Sequence, residues 1–211
     1  MTDKAEPSHF QSFSNGVSDL TSSTIEFLLN RKSAPIAELK GPGPSDDEIR
    51  TLLTIAARVP DHGRLVPWRF ILYRGNAQKS IGEKLAALAE QREGPLTDAR
   101  REQELTRFSR APLVVGVIHV PRDNPKIPQW EMVLSGGAVA MNLLIAATAM
   151  GYGANWITNW YSEIAEGRAI LGMAPDERVI GFVHIGHFDG EAFERPRPDI
   201  DTLVTEFGKT A

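Results

Sequence analysis

Cysteine is absent from the 211 residues, which removes disulfides, thiolate nucleophiles and cysteine-held metals or iron–sulfur clusters together. A large charge of either sign is missing too, since 23 basic and 27 acidic residues leave a formal charge of -4. Nothing at long range would draw such a chain to nucleic acid or to an anionic membrane, so any anion site has to be built locally. Repeats and low-complexity linkers are lacking, and the first twenty residues have no apolar core of the kind a secretory signal needs. The expected compartment is the cytoplasm. Long apolar runs are scarce as well. The one from Val133 to Met150 is short for a span, holds Asn142 mid-way and lacks basic flanks, so it predicts a buried helix and no membrane partner. Its glycines and alanines would let another backbone approach closely, which points to a helix–helix contact between two copies.

What is present describes an ordinary globular chain, 42% hydrophobic and 24% charged, of one expected domain. Residues 1–20, polar and rich in serine and acidic side chains, read as a flexible arm ahead of a single domain over 21–211. Ser22 to Asn30 reads as a helix with Ile25, Leu28 and Leu29 on one face, and its final turn delivers Arg31. Ser45-Asp46-Asp47-Glu48 offers a capping box for a helix running to about Arg58. Trp68 to Tyr73, Leu113 to His119, Asn155 to Thr158 and Val179 to Ile185 read as strands. Helical patterns cover Gln78 to Glu90, Leu96 to Phe108 and Glu163 to Leu171. The charged stretch Glu93 to Phe108 is a candidate substrate lid or an outer solvated helix.

Three clusters carry chemistry. In Arg31-Lys32-Ser33 the guanidinium offers a forked, charge-assisted grip on a phosphate, and the serine adds a hydroxyl bond. Basic residues also end helices simply to complement the dipole, which is the plainer account of Arg31. In Arg58-Val59-Pro60-Asp61-His62 the histidine can donate to a ligand oxygen while neutral, or bond to its own loop. Pro67-Trp68-Arg69-Phe70 leads into an apolar strand, and its tryptophan suits the scaffold better than a stacking role. No acid–base pair or nucleophilic triad stands out, so no side chain is assigned as catalytic.

Taken with Pro128-Gln129-Trp130-Glu131 ahead of the apolar run and Gly151-Tyr152-Gly153-Ala154-Asn155-Trp156 after it, these clusters stand in an order that resembles the nitroreductase family of flavin enzymes, in particular its compact YdjA-like branch. The resemblance spans roughly Ile25 to Ile185. It implies an α+β fold, a central mostly antiparallel sheet flanked by helices, and an intertwined homodimer with FMN sites at the subunit interface. It also implies residue roles. Arg31, Ser33 and Lys32 would hold FMN from one chain, and Arg58 and His62 would reach it from the other. Trp156, Ile157 and Thr158 would present backbone to the ring edge, and Arg197, ahead of Arg195, would add a second cation for the phosphate. The implied activity is ping-pong hydride transfer from NADH or NADPH through flavin N5 to a nitroaromatic, quinone or related small electrophile. Alternatives are a flavin-consuming or dehalogenating relative, and a non-catalytic flavin-binding dimer.

Two other patterns are set aside. His184-Ile185-Gly186-His187 spells a motif of class I aminoacyl-tRNA synthetases but falls late in the chain with no partner motif. As metal ligands, two histidines three apart on a strand point to opposite faces, so no metal site is assigned. Gly151-x-Gly153 follows a helix, whereas a dinucleotide-binding turn follows a strand.

Overall fold

The computed structural model describes residues 23–208. The expected arm at residues 1–20 therefore lies outside the described residues. Residues 23–30 are helical and form α1. The second helix, α2 (Asp46–Ala56), starts on the capping box that the sequence offers: Ser45 Oγ accepts from Glu48 N, and the Glu48 carboxylate accepts from Ser45 N at 2.8 Å. Each of these bonds satisfies an amide that the first helical turn would leave without a partner.

Four strands make one antiparallel sheet. They are β1 (Trp68–Tyr73), β2 (Leu113–His119), β3 (Gly153–Ile157) and β4 (Arg178–Gly186), arranged in the order β1-β2-β4-β3. Between β1 and β2 run α3 (Asn76–Glu93) and α4 (Asp98–Leu105). The long α5 (Gln129–Ala149) joins β2 to β3, and the short α6 (Ala165–Ile170) precedes β4. The strand predicted over Asn155 to Thr158 thus begins at Gly153 and stops at Ile157.

Strand side chains alternate between faces, and here both faces are covered. Val115 and Val117 of β2 with Val183 and Ile185 of β4 pack under α2 and α5, against Leu52, Val139 and Leu143. On the opposite face Val114, Tyr73 and Phe182 meet Leu85 of α3, together with Phe108 and Tyr161. Coverage on both sides explains why β2 is buried along its whole length. α5 is long and apolar enough to cross a membrane by composition, but its inward residues Met132, Val139, Leu143 and Ala147 are packed into this core. Asn142, the polar residue midway along it, donates to the carbonyls of Ile55 and Arg58, tying α5 to the end of α2.

The segment Glu93 to Phe108 holds an outer helix, exposed at Asp98, Ala99, Glu102 and Gln103 and anchored on its inner side. Thr97 caps α4 by accepting from Arg100 N. Glu104 and Phe108 are fully buried, the former bonded by Arg100, Arg107 and the indole N–H of Trp160. This anchors α4 on the α3 side of the sheet.

Candidate functional site

The functional residues are set by what happens at the two ends of α5. At its C-terminal end α1 delivers Arg31, and the chain then runs beside β3, where Ala34 N donates to Ala154 O at 3.1 Å and Asn155 Nδ2 donates to Ala34 O at 2.7 Å. A cleft of about 490 Å³ opens here between Arg31, Lys32, Thr148, Gly153, Ala154 and Phe188. Arg31 is half-buried, and its Nη1 is shut away from solvent without a hydrogen-bond partner among the described residues. Burial lowers its pKa, the charges of Arg197 and Arg195 lower it further, and Glu194 opposes them. Glu194 is itself bonded by Arg197 at 2.8 Å and paired with Lys32 at 3.6 Å. The tail thus brings two guanidiniums to Arg31 and Lys32, with one carboxylate among them. An unsatisfied buried guanidinium N–H in a group of cations is an environment that favours a bound anion.

Beside this cluster β3 offers its open edge. Because Ala154 turns its backbone outward to meet Ala34, the alternation of the strand turns the N–H and C=O of Trp156 the same way. Ser33 lies in the intervening segment, half-buried. The Trp156 side chain has a different duty: its indole lies over Gly181 of β4, where a Cβ would collide with Nε1, and it donates to Ile180 O at 3.3 Å. Its side chain is scaffold, while its backbone faces the edge.

His62 stands at the N-terminal end of α5 and Arg58 past its midpoint, where the Arg58 carbonyl accepts from Asn142; both are exposed. The loop that carries them is tightly held. Asp61 accepts from Leu65 N and Val66 N, Arg122 donates to the carbonyls of Leu65 and Val66, and Ser135 Oγ donates to Pro60 O. Val66 sits at φ 47°, a left-handed conformation that a β-branched residue adopts only when its surroundings enforce it. The His62 ring is held too, but not by its own backbone: Nδ1 lies 2.7 Å from Oε2 of Glu131 in the first turn of α5.

The structure therefore brings Arg31, Lys32 and Arg197 together, with Ser33 next in the chain and the Trp156 stretch of β3 alongside, while Thr158 lies beyond the end of β3 and Arg58 and His62 stand elsewhere along α5. Ile157 sits at the end of β3 with its side chain partly covered. At about 1.5 Å per residue, Glu131 and Thr148 are about 25 Å apart along α5, so His62 and the Arg31 group cannot meet on one ligand within one chain. Between them α5 exposes Trp130, Val133, Leu134 and Met141, with open space over Gly137. These positions recur at helical spacing and form an apolar stripe that nothing among the described residues covers. Glu131, Arg195 and Glu194 join the site by tertiary pairing, for which their local sequence carries no signal.

The Nitroreductase family model matches residues 39–187. Among curated proteins, YdjA of Escherichia coli (strain K12), provisionally named an NAD(P)H nitroreductase, is 29% identical over 166 residues, covering 77% of this chain and 86% of that protein. Among solved structures, a nitroreductase-like family protein from Bacillus cereus superposes with a TM-score of 0.73 at 21% identity, covering 88% of this chain and 96% of that one. An FMN and NADPH-dependent nitroreductase, NfnB from sphigopyxis sp. strain HMH, superposes with a TM-score of 0.70 at 22% identity, over 88% and 99% of the two chains.

Proposed function

The chain belongs to the Nitroreductase family, and from that premise we propose that it is an FMN-dependent NAD(P)H oxidoreductase that works as a homodimer. The observation that carries the reading is Arg31, whose buried Nη1 lacks a partner while Arg195 and Arg197 crowd it with like charge. A phosphate monoester would satisfy that N–H and neutralise the cluster, and FMN carries one. When bound, FMN would supply the redox chemistry, accepting two electrons from NADH or NADPH and releasing them in a second half-reaction to a nitroaromatic, quinone or related electrophile.

The chain's own residues bind and orient. Arg31, Lys32 and Arg197 would take the phosphate with Ser33 adding a hydroxyl, and the outward backbone of Trp156, with Thr158 beyond it, would meet the polar edge of the ring system. Ile157 would line the same wall. His62 would come from the second copy, since its own copy's phosphate cluster lies at the far end of α5, and Arg58 would come with it, as the family resemblance implies. A second α5 laid on the Trp130–Met141 stripe would bury apolar surface that a lone chain leaves in water. The exposed tail residues Phe193, Leu203, Val204 and Phe207 would find cover on that copy in the same way. On this reading no side chain is assigned as acid, base or nucleophile. Residues 21–211 would form one FMN-binding domain, and the site would work on small molecules in the cytoplasm.

The test is spectroscopic. Purified protein should release FMN on acid treatment, bleach anaerobically with NADH or NADPH, and recover its colour with a nitroaromatic or quinone. A protein that neither carries nor takes up FMN would refute the reading. One that binds FMN but resists both nicotinamides would be a flavin-binding dimer without this activity.

A further inference from the structure

His62 is held in a specific way that the proposed function leaves unused. Backbone bonds pin its loop on both sides, through Asp61, Arg122 and Ser135, and Gly63 takes φ 72° with no room for a Cβ against Ile127. What remains free is the ring, and Glu131 fixes that by approaching Nδ1 at 2.7 Å. A carboxylate only accepts hydrogen bonds, so Nδ1 carries the proton, and in the imidazole form of the ring Nε2 is then the acceptor. Nε2 has no protein partner among the described residues, and the His62 side chain is 63% exposed. A phosphate oxygen, itself an acceptor, is a poor match for such a nitrogen. A sugar-like hydroxyl is a good one.

Resting on the FMN reading, we propose that Glu131 is a positioning residue that locks the tautomer of His62, so that His62 accepts a hydrogen bond from a ribityl hydroxyl of the flavin and does not serve the phosphate. The division of labour is then complete: cations at Arg31 read the phosphate, and a neutral acceptor from the other chain reads the polyol between phosphate and ring. This reverses the expectation that His62 donates to the ligand.

Riboflavin, which keeps the ribityl chain and lacks the phosphate, separates the alternatives. Binding of FMN and of riboflavin would be titrated by flavin fluorescence for the wild type, His62→Ala, Glu131→Ala, Glu131→Gln and the double alanine variant, with Arg31→Ala alongside. Both single alanine changes should weaken both flavins by a similar factor, about twofold to tenfold for a neutral hydrogen bond. The double variant should be no worse than His62→Ala, because Glu131 acts only through the ring. Glu131→Gln should recover most of the loss, since its amide oxygen can accept from Nδ1–H. A glutamate serving merely as a charge at the start of α5 would be lost equally in both variants. Long-range 15N spectra of the flavin-free protein should show His62 protonated at Nδ1 in the wild type and a tautomer mixture in Glu131→Ala. A His62→Ala penalty seen with FMN and absent with riboflavin would overturn the proposal in favour of phosphate. So would wild-type affinity in Glu131→Ala beside a weakened His62→Ala. Failure of the underlying FMN reading looks different, because the wild type and Arg31→Ala would then be equally unable to bind FMN.

Discussion

The two faces of the sheet are finished to different degrees. On the α3 side the chain completes its own core: Tyr73, Phe108, Tyr161 and Phe182 pack edge-on or tilted with centroids 5.0 to 6.1 Å apart. Glu104 beneath them is bonded by two arginines and an indole. On the α5 side the inner half of the helix is equally well packed, but the outer half ends in an exposed apolar stripe flanked by two half-sites. The residues assigned to the cofactor lie along that helix, at the β3 edge and in the tail. The closed face is where the fold is stabilised, and the open face is where the proposed second copy and ligand would sit.

The largest effect that could break this contrast is on stability. Phe108→Ala should lower the unfolding free energy by about 3 to 5 kcal/mol, the usual cost of deleting a buried aromatic ring, measured by urea denaturation. Leu134→Ser on the exposed stripe should alter a single chain by less than about 0.5 kcal/mol, as an ordinary surface change does, and should act on association. Its loss of stability should vanish as the protein is diluted, with sedimentation showing monomers. If Leu134→Ser costs as much as Phe108→Ala at every concentration, the stripe belongs to the core and the contrast fails.

Next comes the open face itself. Arg31→Ala should weaken FMN binding by about 1.5 to 3 kcal/mol, the range for a hydrogen bond to a charged group, and leave thermal unfolding of the flavin-free protein unchanged. Mixing Arg31→Ala chains with His62→Ala chains should regenerate one intact site per heterodimer, because the intact Arg31 and the intact His62 then lie on different chains. No recovery after confirmed subunit exchange would mean that the two ends of α5 do not meet across an interface.

Much of this was legible locally. The capping box at Ser45 and Glu48, the strands Trp68–Tyr73 and Leu113–His119, and the placing of Arg31 directly after a helix all follow from periodicity and turn chemistry over a few residues. Interactions between distant residues were not legible. Glu131 meets His62 and Glu194 meets Lys32 only because α5 and the tail fold back, and neither spacing leaves a mark in the sequence. The segment Glu93 to Phe108 hides one such contact for the same reason. Its high charge reads as solvated surface, yet Glu104 is buried because Arg100, Arg107 and Trp160 converge on it.

That convergence gives the closed face a signature in pH. Burial would raise the pKa of Glu104, but the bonds from Arg107 and Arg100 prevail and hold it below the ordinary carboxylate value. The same net direction holds for Glu177, bonded bidentately by Arg69 and by the Ala174 amide. A depressed folded-state pKa contributes stability that is full above the unfolded value and is lost as pH falls through the folded one. Melting temperature should therefore fall on acidification below the usual carboxylate range. Glu104→Gln should lower it at neutral pH and flatten that acid limb. An acid limb unchanged in Glu104→Gln would show that the carboxylate contributes nothing pH-dependent to the closed face.

The smallest effect belongs to the charge that the open face uses against itself. Glu194 lies among Lys32, Arg31 and Arg197 where an incoming phosphate would bring its own negative charge, and its pairs with Arg197 and Lys32 hold its pKa down. It is exposed, so the coupling is screened and modest. Glu194→Gln removes that competing charge while keeping the size of the side chain, and should tighten FMN by about twofold to fivefold, as an exposed ion pair would allow. The gain should shrink with added salt and be absent for riboflavin, which has no phosphate to compete. Weaker FMN binding in Glu194→Gln would reverse the assignment: the carboxylate would then be holding Arg197 in place for the phosphate, and the tail would be a preformed part of the site with no charge to displace.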